Sequence, residues 1–216
     1  MNSSVVIVVG AGGHAAVVAD ALLASGQRVL GFVDNHADLR GQQLCGLPAL
    51  GNDADLAGYD SKVVRLANGI GGTRGEGLRS AVQRRLEEAG WQFVAVRHPG
   101  AIVSPFACLG PGVQLMAHSV VQPGAKVGAG CIVNSGALIE HDVELGAFVH
   151  VACGATLCGG VHVGAGSHVG AGAVVLQGVH LGEASVVGAG SVVVHDFQGG
   201  GTLLGVPARA VEKRSD

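Results

Sequence analysis

One histidine in this sequence stands between two carboxylates, an arrangement suited to acid–base chemistry. Glu140 precedes His141 and Asp142 follows it. A carboxylate beside an imidazole fixes the tautomer of the ring and stabilises its charged form, and both effects make the imidazole a better general base. The sequence does not decide which of the two carboxylates contacts the ring. We interpret His141 as a candidate general base.

Four other histidines recur at matching places of a repeat of hexads. His150 and His168 are three hexads apart, as are His162 and His180. Each stands in the last place of a hexad that begins with an aliphatic residue, a place that we predict to point away from the interior. The spacing predicts that the two members of each pair stack on one side of the fold. Taken singly, each is interpreted as a solvated surface residue.

The repeat that carries these histidines predicts the fold of the second half. An aliphatic residue stands at every sixth position from Val103 to Val193, and up to Ser191 the position four later is small or Val. A fixed period of six indicates a parallel β-helix, in which three hexads form the three sides of each coil. Known helices of this kind coil left-handed. The second register fails at Phe197, where we predict the end of the helix and a cap.

Glycines between the aliphatic positions are expected at the corners of the coils, where unusual backbone dihedrals are needed. These are Gly128, Gly130, Gly164, Gly166, Gly170, Gly172, Gly188 and Gly190.

The first hundred residues predict a different architecture. Val5–Val9 is an unbroken aliphatic run typical of a buried parallel strand. A glycine-rich turn at 10–14 follows, then a helix over 15–25 and a second strand over 28–33. Further along, the pattern predicts a strand over 62–67, a helix over 78–89 and a last strand over 93–96.

The glycine-rich turn predicts a nucleotide site. The order of strand, glycine turn, helix and strand, with Asp34 at the end, matches the G-x-G-x-x-A pattern that aims backbone N–H groups at a phosphate. Asp34 is then a candidate for binding a ribose hydroxyl. NAD fits poorly, since a dinucleotide fold needs two halves and only about seventy residues remain before the β-helix. A single nucleotide, such as a nucleotide sugar, fits better; the alternative is a turn that binds nothing.

Composition narrows the function classes. The chain has 216 residues, 48% hydrophobic and 13% charged, so a packed core is easily filled. A net charge of −3 without a basic run argues against a nucleic-acid partner. The five cysteines lack paired spacing, which fits a reducing cytoplasm. The apolar run at the start is too short to span a bilayer and has no charged flank, so we expect neither a signal peptide nor a membrane partner.

Four segments together resemble a known family. They are the turn at 10–14, the strand end at 33–35, the segment NSGALIEHDVELGAFVH at 134–150 and the closing GVPAR at 205–209. In these segments the chain resembles the NeuD/PglD-type sugar O- and N-acyltransferases along essentially its whole length. The resemblance implies a Rossmann-like α/β domain that binds a nucleotide sugar (1–100), a left-handed parallel β-helix of hexapeptide repeats (101–198), and a C-terminal cap and tail (199–216).

The resemblance also implies site residues. His141 matches the general base of the family, Asp142 matches an acid, usually Glu, that orients it, and Asn134 belongs to the same catalytic set. The positions that contact acetyl-CoA are matched by His150, Gly159, Ala171 and Ala189. The nucleotide-sugar pocket is matched by Gly12, Gly13, His14, Asp34, Asn35 and Gly71.

What the resemblance implies for function is an acetyl-CoA-dependent acetyltransferase without a metal. It would acetylate the amine of a UDP- or dTDP-linked 4-amino-deoxysugar in the cytoplasm, in bacterial-type synthesis of surface glycan or glycoprotein sugars. The family works as homotrimers with active sites between subunits. Two alternatives stay open: an O-acetyltransferase acting on a hydroxyl of a sialic-acid-like sugar, and a non-catalytic trimeric scaffold that binds a nucleotide sugar.

Two further classes of enzyme fit the sequence less well. β-Helix zinc hydratases usually include two histidines at positions i and i+5, and no two histidines between His98 and His195 have that spacing. Nucleotidyltransferases with a β-helix tail have a long catalytic domain for which this chain has no room.

Overall fold

The computed structural model describes residues 5–35, 39, 41–72 and 77–211, which divide into two compact units. The first unit contains the described residues up to Gly71 together with 77–99. The second contains Gly72 and the described residues from Gly100 onward. Among the described helices, none is both long enough and apolar enough to cross a membrane.

The first unit is built on a five-stranded sheet of order β3-β4-β2-β1-β5. Its strands are β1 (Val5–Val9), β2 (Val29–Val33), β3 (Gln43–Leu44), β4 (Leu47–Gly51) and β5 (Val64–Asn68). Two helices, α1 (Gly13–Ala24) and α2 (Gly77–Glu88), and a 3₁₀ helix (Asp53–Gly58) complete it, with β6 (Val96–Arg97) near its end. The pairs β1–β2, β1–β5 and β2–β4 are parallel and β3–β4 is antiparallel.

Burial explains the centre of this sheet. Ile7, Phe32 and Leu66 are almost fully buried on β1, β2 and β5, as expected for parallel strands with little access to water. The predicted helices and the first three predicted strands correspond to observed elements with slightly shifted ends. The strand predicted over 93–96 is wrong, because Phe93 forms a single isolated bridge to Leu66 and the strand β6 begins only at Val96.

The hairpin β3–β4 was not predicted from the sequence. Cys45 and Gly46 have φ of 51° and 77°, which is the pair of left-handed residues that a tight hairpin turn requires. Glycine is the usual signal for such a turn, but a Cys beside it is not, and Pro48 in β4 argues against a strand.

The second unit is the parallel β-helix that the hexads predict, made of very short strands on three sides. The first side contains β7 (Ile102–Val103), β10 (Val120–Val121), β13 (Leu138–Ile139), β16 (Thr156–Leu157), β19 (Val174–Val175) and β22 (Val192–Val193). The second side contains β8 (Cys108–Leu109), β11 (Lys126–Val127), β14 (Glu144–Leu145), β17 (His162–Val163) and β20 (His180–Leu181). The third side contains β9 (Gln114–Leu115), β12 (Ile132–Val133), β15 (His150–Val151), β18 (His168–Val169) and β21 (Val186–Val187).

The third side continues beyond the hexads. After β22, the strand β23 (Thr202–Gly205) pairs in parallel with β21, and β24 (Ala208–Val211) returns antiparallel to β23. Phe197, where the repeat fails, still forms a bridge to Leu181. The tail at 212–216 lies outside the described residues.

The interior of the β-helix follows the two registers of the sequence. Partners in neighbouring coils are three hexads apart, as in Val133 beside Val151 and Val151 beside Val169. All three of these anchors are fully buried, and so are Ala137 and Ala155 from the small register. A narrow interior packed at native density has room for large side chains at only one position of each hexad.

The corners use glycine for two different reasons. Every sixth residue from Gly112 to Gly190 has a left-handed φ, and this set includes Gly130 and Gly166. Gly128, Gly164, Gly170 and Gly188 do not, which corrects the expectation that all corner glycines need unusual dihedrals. These four instead allow residues of the following coil or of the C-terminal strands to approach closely. A Cβ on Gly128, for example, would lie 2.7 Å from the carbonyl carbon of Gly146.

Candidate active site

The corner that follows β13 carries His141 and Asp142. Nδ1 of His141 lies 2.9 Å from Oδ2 of Asp142, while Oε2 of Glu140 accepts the backbone N–H of His141 at 3.3 Å. The carboxylate that contacts the ring is therefore that of Asp142, and Glu140 contacts only the main chain. Although Asp is one methylene shorter than Glu, it reaches the ring from a left-handed backbone with φ of 58°.

This contact determines which ring nitrogen of His141 can act as a base. A carboxylate only accepts hydrogen bonds, so Nδ1 carries the proton and Nε2 keeps its lone pair. Nε2 lies beside Gly159, one coil further on, where a Cβ would collide with Nε2 and Cε1 of the ring. Gly160 N–H donates to the carbonyl of His141 at 2.9 Å and holds the two coils together. Within the described residues the Gly159 N–H donates to no acceptor.

A second group of predicted residues lies on the third side. Nδ1 of His150 is 2.8 Å from the carbonyl oxygen of Gly72, so Nδ1 donates, and Nε2 is 3.3 Å from Nδ2 of Asn134, which donates to it. Oδ1 of Asn134 accepts the N–H of Ser135 at 2.8 Å. His150 is only 9% exposed, and its ring meets that of His168 edge-on at 4.8 Å. His150 is therefore not the solvated residue that its place in the hexad suggests.

The predicted catalytic and cofactor residues thus form separate groups in one chain. His141, Asp142 and Gly159 meet at the corner after the first side, whereas Asn134 and His150 meet on the third side. Asn134 contacts His150, although the resemblance assigns it to the same catalytic set as His141. The role of Gly72 was not predicted, because a backbone carbonyl acceptor leaves no signal in the sequence.

Ala171 and Ala189 line a groove beside the third side. The groove has a volume of about 890 Å³, and its walls include Val187, Thr202 and Leu204. The strands β23 and β24 contribute to it, so the segment predicted as a cap and tail also forms a wall of the candidate cofactor groove. Gly159 is not part of this wall and lies instead with His141.

In the first unit, the predicted nucleotide pocket gathers at the carboxyl ends of β1, β2 and β5. Gly12 caps α1 without a side chain, and space is open where a Cβ of Gly12 or Gly13 would stand. Asp34 accepts the N–H of Ala11 at 2.7 Å and so shapes the turn. A Cβ on Gly71 would lie 3.2 Å from the Cβ of His14, which places these two residues together. An open helix N-terminus of this kind favours a phosphate.

Asn35 is held within the protein. Its Nδ2 donates to Oδ2 of Asp53 at 3.0 Å, and its Oδ1 accepts the N–H of Asp53 at 3.1 Å. Arg85 forms an ion pair with the same Asp53 carboxylate. Asn35 thus fixes the loop after β2 to the 3₁₀ helix, and Asp53 is a residue that sequence reasoning missed.

The second side carries a row of polar groups. Nζ of Lys126 lies 2.7 Å from Oε1 of Glu144; this hydrogen bond and the attraction of opposite charges raise the pKa of Lys126 and lower the pKa of Glu144. His162 and His180 stack with centroids 4.4 Å apart, which confirms the predicted pair. Among the described residues, no group of three or more His, Cys, Asp or Glu could hold a metal ion.

Comparisons with known proteins agree with this architecture. A family model for the PglD N-terminal domain matches residues 5–86, and one for the bacterial transferase hexapeptide (six repeats) matches residues 109–141. Among curated protein sequences, none matches this chain.

Several solved structures resemble the whole chain. A histidine-to-asparagine mutant of perosamine N-acetyltransferase from Caulobacter crescentus, in complex with CoA and GDP-perosamine, is 35% identical with a TM-score of 0.90, covering 96% of this chain and 97% of that one. The acetyltransferase domain of PglB from Neisseria gonorrhoeae, in complex with acetyl coenzyme A, is 32% identical with a TM-score of 0.90, covering 97% and 100%. WeeI from Acinetobacter baumannii, at 24% identity and a TM-score of 0.83, covers 96% and 99% and shares the fold. From the fold, the two family models and these identities, we conclude that the chain belongs to the NeuD/PglD-type family of sugar acyltransferases, with a left-handed β-helix of hexapeptide repeats.

Proposed function

We propose that this enzyme transfers the acetyl group of acetyl-CoA to the amine of a nucleotide-linked 4-amino-deoxysugar, with His141 as the general base. The observation that carries the proposal is the hydrogen bond from His141 Nδ1 to Asp142, which leaves the lone pair on Nε2, the ring atom that lies beside Gly159. The relation to a perosamine N-acetyltransferase at 35% identity supports the choice of an amine as acceptor.

The chemistry needs one base and one oxyanion donor. Nε2 of His141 takes a proton from the sugar amine as its nitrogen attacks the thioester carbonyl carbon. The tetrahedral intermediate then breaks its C–S bond, and the imidazolium returns the proton to the CoA thiolate. Asp142 keeps Nδ1 protonated throughout and stabilises the positive ring. The amide bond to the sugar and the CoA thiol are the products.

Gly159 serves this reaction in two ways. Without a side chain, it leaves room for the imidazole ring of His141, because a Cβ would collide with Nε2 and Cε1. Its backbone N–H, which has no acceptor among the described residues, is the candidate donor to the oxyanion. A donor that is already oriented stabilises developing charge without reorganisation.

Substrate binding is divided between the two units. The groove of about 890 Å³ beside Ala171 and Ala189 is the candidate site for acetyl-CoA, with Val187 and Leu204 as apolar walls. In the first unit, the N-terminus of α1 with Gly12, Gly13 and His14 is the candidate site for the nucleotide phosphates. Asp34 remains the candidate for a ribose hydroxyl, and Asn35 and Gly71 complete the loops around it.

We further propose that the active sites form between chains of a homotrimer. His141 lies at the corner after the first side and the candidate cofactor groove lies beside the third side, which supports a site where the base of one chain meets the groove of another. The outward side chains of the first side are suited to contact between copies, because all but one are aliphatic. They are Ile102, Val120, Leu138, Thr156, Val174 and Val192.

The nucleotide and the cellular setting are parts of the same proposal. The family resemblance implies a UDP- or dTDP-linked sugar. The Caulobacter enzyme binds GDP-perosamine, so GDP is a third nucleotide to test. We place the reaction in the cytoplasm, in the synthesis of a bacterial surface glycan or glycoprotein sugar.

The test is release of the CoA thiol from acetyl-CoA with UDP-, dTDP- and GDP-linked 4-amino-deoxysugars, comparing the wild type with His141→Ala. We expect one nucleotide series to give fast release that depends on His141. Release only with sugars that bear hydroxyl acceptors would replace the proposal by O-acetylation. Binding of a nucleotide sugar without binding of acetyl-CoA would favour a scaffold. Equal activity of the two proteins would show that His141 is not the base.

A further inference from the structure

We propose that Gly124 is a positioning residue, which keeps open the space that the Asp142 carboxylate needs in order to hold His141. Gly124 lies three hexads before Asp142, at the same corner of the preceding coil. This inference rests on the proposed role of His141 and names a residue that neither the repeat nor the family resemblance singled out.

The backbone of Asp142 sets the requirement. Its φ of 58° is left-handed, a backbone conformation that residues other than Gly, Asn and Asp seldom adopt. Its N–H donates to the carbonyl of Pro123 at 3.2 Å, so the turn at Pro123 and Gly124 lies against Asp142. The carboxylate of Asp142 is therefore directed by a strained turn that packs directly on the coil before it.

The space for the carboxylate exists only because residue 124 is glycine. A Cβ on Gly124 would collide with Oδ1 of Asp142 and lie 3.3 Å from its Cγ, whereas the backbone N of Asp142 would be 3.5 Å away, at ordinary contact distance. An added methyl group thus conflicts with the carboxylate and leaves the main chain of Asp142 in place. The carboxylate would have to rotate, and Oδ2 would leave its position 2.9 Å from Nδ1 of His141.

The pair His141 and Asp142 consequently lies between two glycines of neighbouring coils. Gly159 leaves room for the imidazole on one side, and Gly124 leaves room for the carboxylate on the other. The two glycines have different roles, since Gly159 faces the reacting nitrogen, whereas Gly124 acts only through Asp142. Loss of Gly124 should therefore slow the chemical step and leave substrate binding nearly unchanged.

Gly178 provides a matched control. It occupies the same corner, three coils beyond Gly124, with φ of 69° against 77° for Gly124. No atom lies within 4 Å of a Cβ built on Gly178. Gly178→Ala therefore introduces the same backbone strain as Gly124→Ala without touching a side chain, and both should lower the melting temperature to a similar extent.

The first experiment compares kcat and both KM values for these two variants. We expect Gly124→Ala to lower kcat about tenfold with each KM within about twofold, since a small misplacement of a catalytic group is costly. Gly178→Ala should stay within about twofold of the wild type. An equal loss in both variants would overturn the inference, because backbone strain alone would then explain it.

The second experiment repeats Gly124→Ala in an Asp142→Ala background, where no carboxylate remains to be displaced. We expect Asp142→Ala to be slower than the wild type and Gly124→Ala to cause less than about a twofold further loss, as coupled residues are not additive. The same fold loss in both backgrounds would overturn the inference, and so would a fully active Asp142→Ala. Nitrogen-15 spectra of the imidazole should show a mixed tautomer in Gly124→Ala and a single tautomer in Gly178→Ala.

These outcomes separate the inference from the proposed function. If His141→Ala retains full activity, the proposed base itself is wrong. If His141→Ala is inactive while Gly124→Ala behaves like Gly178→Ala, the base stands and only the role of Gly124 is wrong.

Discussion

His141 and His150 belong to the same β-helix and the same type of repeat, yet their surroundings are opposite. The His141 side chain is 64% exposed, and Asp142 engages its Nδ1. His150 is 9% exposed, and both of its ring nitrogens are hydrogen-bonded, one to Gly72 and one to Asn134. An open lone pair at a corner is suited to proton transfer, whereas a buried ring with two partners is suited to holding other groups in place.

The difference in environment arises from the residues of other coils and loops that contact each histidine ring. Beside Nε2 of His141 the neighbouring coil supplies Gly159, which has no side chain to fill the space. Beside His150 the chain supplies a carbonyl from Gly72 and an amide from Asn134. A regular repeat can therefore carry histidines in opposite environments, and the neighbouring residues decide which ring is exposed and which is buried.

Replacement of His141 should have the largest effect. We expect His141→Ala to lower kcat by about 10² to 10⁴, the usual contribution of a general base, while the melting temperature stays close to that of the wild type. Steady-state kinetics and thermal unfolding measure the two quantities. His162→Ala, on the second side, is the matched control and should retain full activity. A comparable loss in that control would contradict the distinction.

Mixed oligomers should show whether His141 and His150 of different chains form one active site. The family resemblance implies that His150 contacts acetyl-CoA. If the base of one chain serves the acetyl-CoA site of its neighbour, His141→Ala and His150→Ala chains that are each inactive should regain activity when they assemble together. Random mixing leaves about a quarter of the sites with both histidines intact. Co-expression with two affinity tags, sequential purification and the thiol assay measure the recovery. Activity no greater than the sum of the separate variants would show that each site is built within one chain.

Replacement of His150 should lower the stability of the protein more than replacement of His141, the reverse of the order expected for activity. His150→Ala removes a buried ring and two half-buried hydrogen bonds, each contributing about 0.5–1.5 kcal/mol, so we expect it to lower the free energy of unfolding by about 1–3 kcal/mol. His141→Ala removes an exposed side chain and should change the free energy of unfolding little. Denaturant unfolding of both variants at one protein concentration tests this, because assembly makes stability depend on concentration. Equal stabilities would mean that the hydrogen bonds of His150 contribute nothing to the free energy of unfolding.

The smallest effect is expected for the ion pair of the second side. Because the pKa of Glu144 is lowered in the folded state, Glu144 contributes to stability above its unfolded-state pKa. That stabilisation is lost as the pH falls through its folded-state pKa. Because the pKa of Lys126 is raised in the folded state, its contribution to stability is lost only as the pH rises through its folded-state pKa. Both groups are exposed, so Glu144→Gln should change the melting temperature barely at neutral pH and not at all in acid. A large shift at neutral pH would contradict this.

The hexad repeat was enough to predict most of the second unit, because each coil packs on the next through residues at a fixed short spacing in the sequence. The anchors from Leu115 to Val193 are buried in the interior, and the two rings of each histidine pair meet where the spacing of three hexads puts them. The first unit was predicted less fully, because its hairpin depends on a left-handed Cys45 that composition does not signal. The strand expected over 93–96 reduces to one bridge for a similar reason, since pairing depends on a partner far along the chain.

The sequence by itself determined the β-helix, the glycine turn before α1 and the presence of His141 between two carboxylates. Only the tertiary structure decided that Asp142 and not Glu140 contacts the ring, that Asn134 bonds to His150, and that Asn35 is bound by Asp53. Local rules such as periodicity and turn chemistry act between residues close in sequence. These contacts instead depend on the direction of a side chain at a strained corner and on residues that meet only when separate coils and loops pack together.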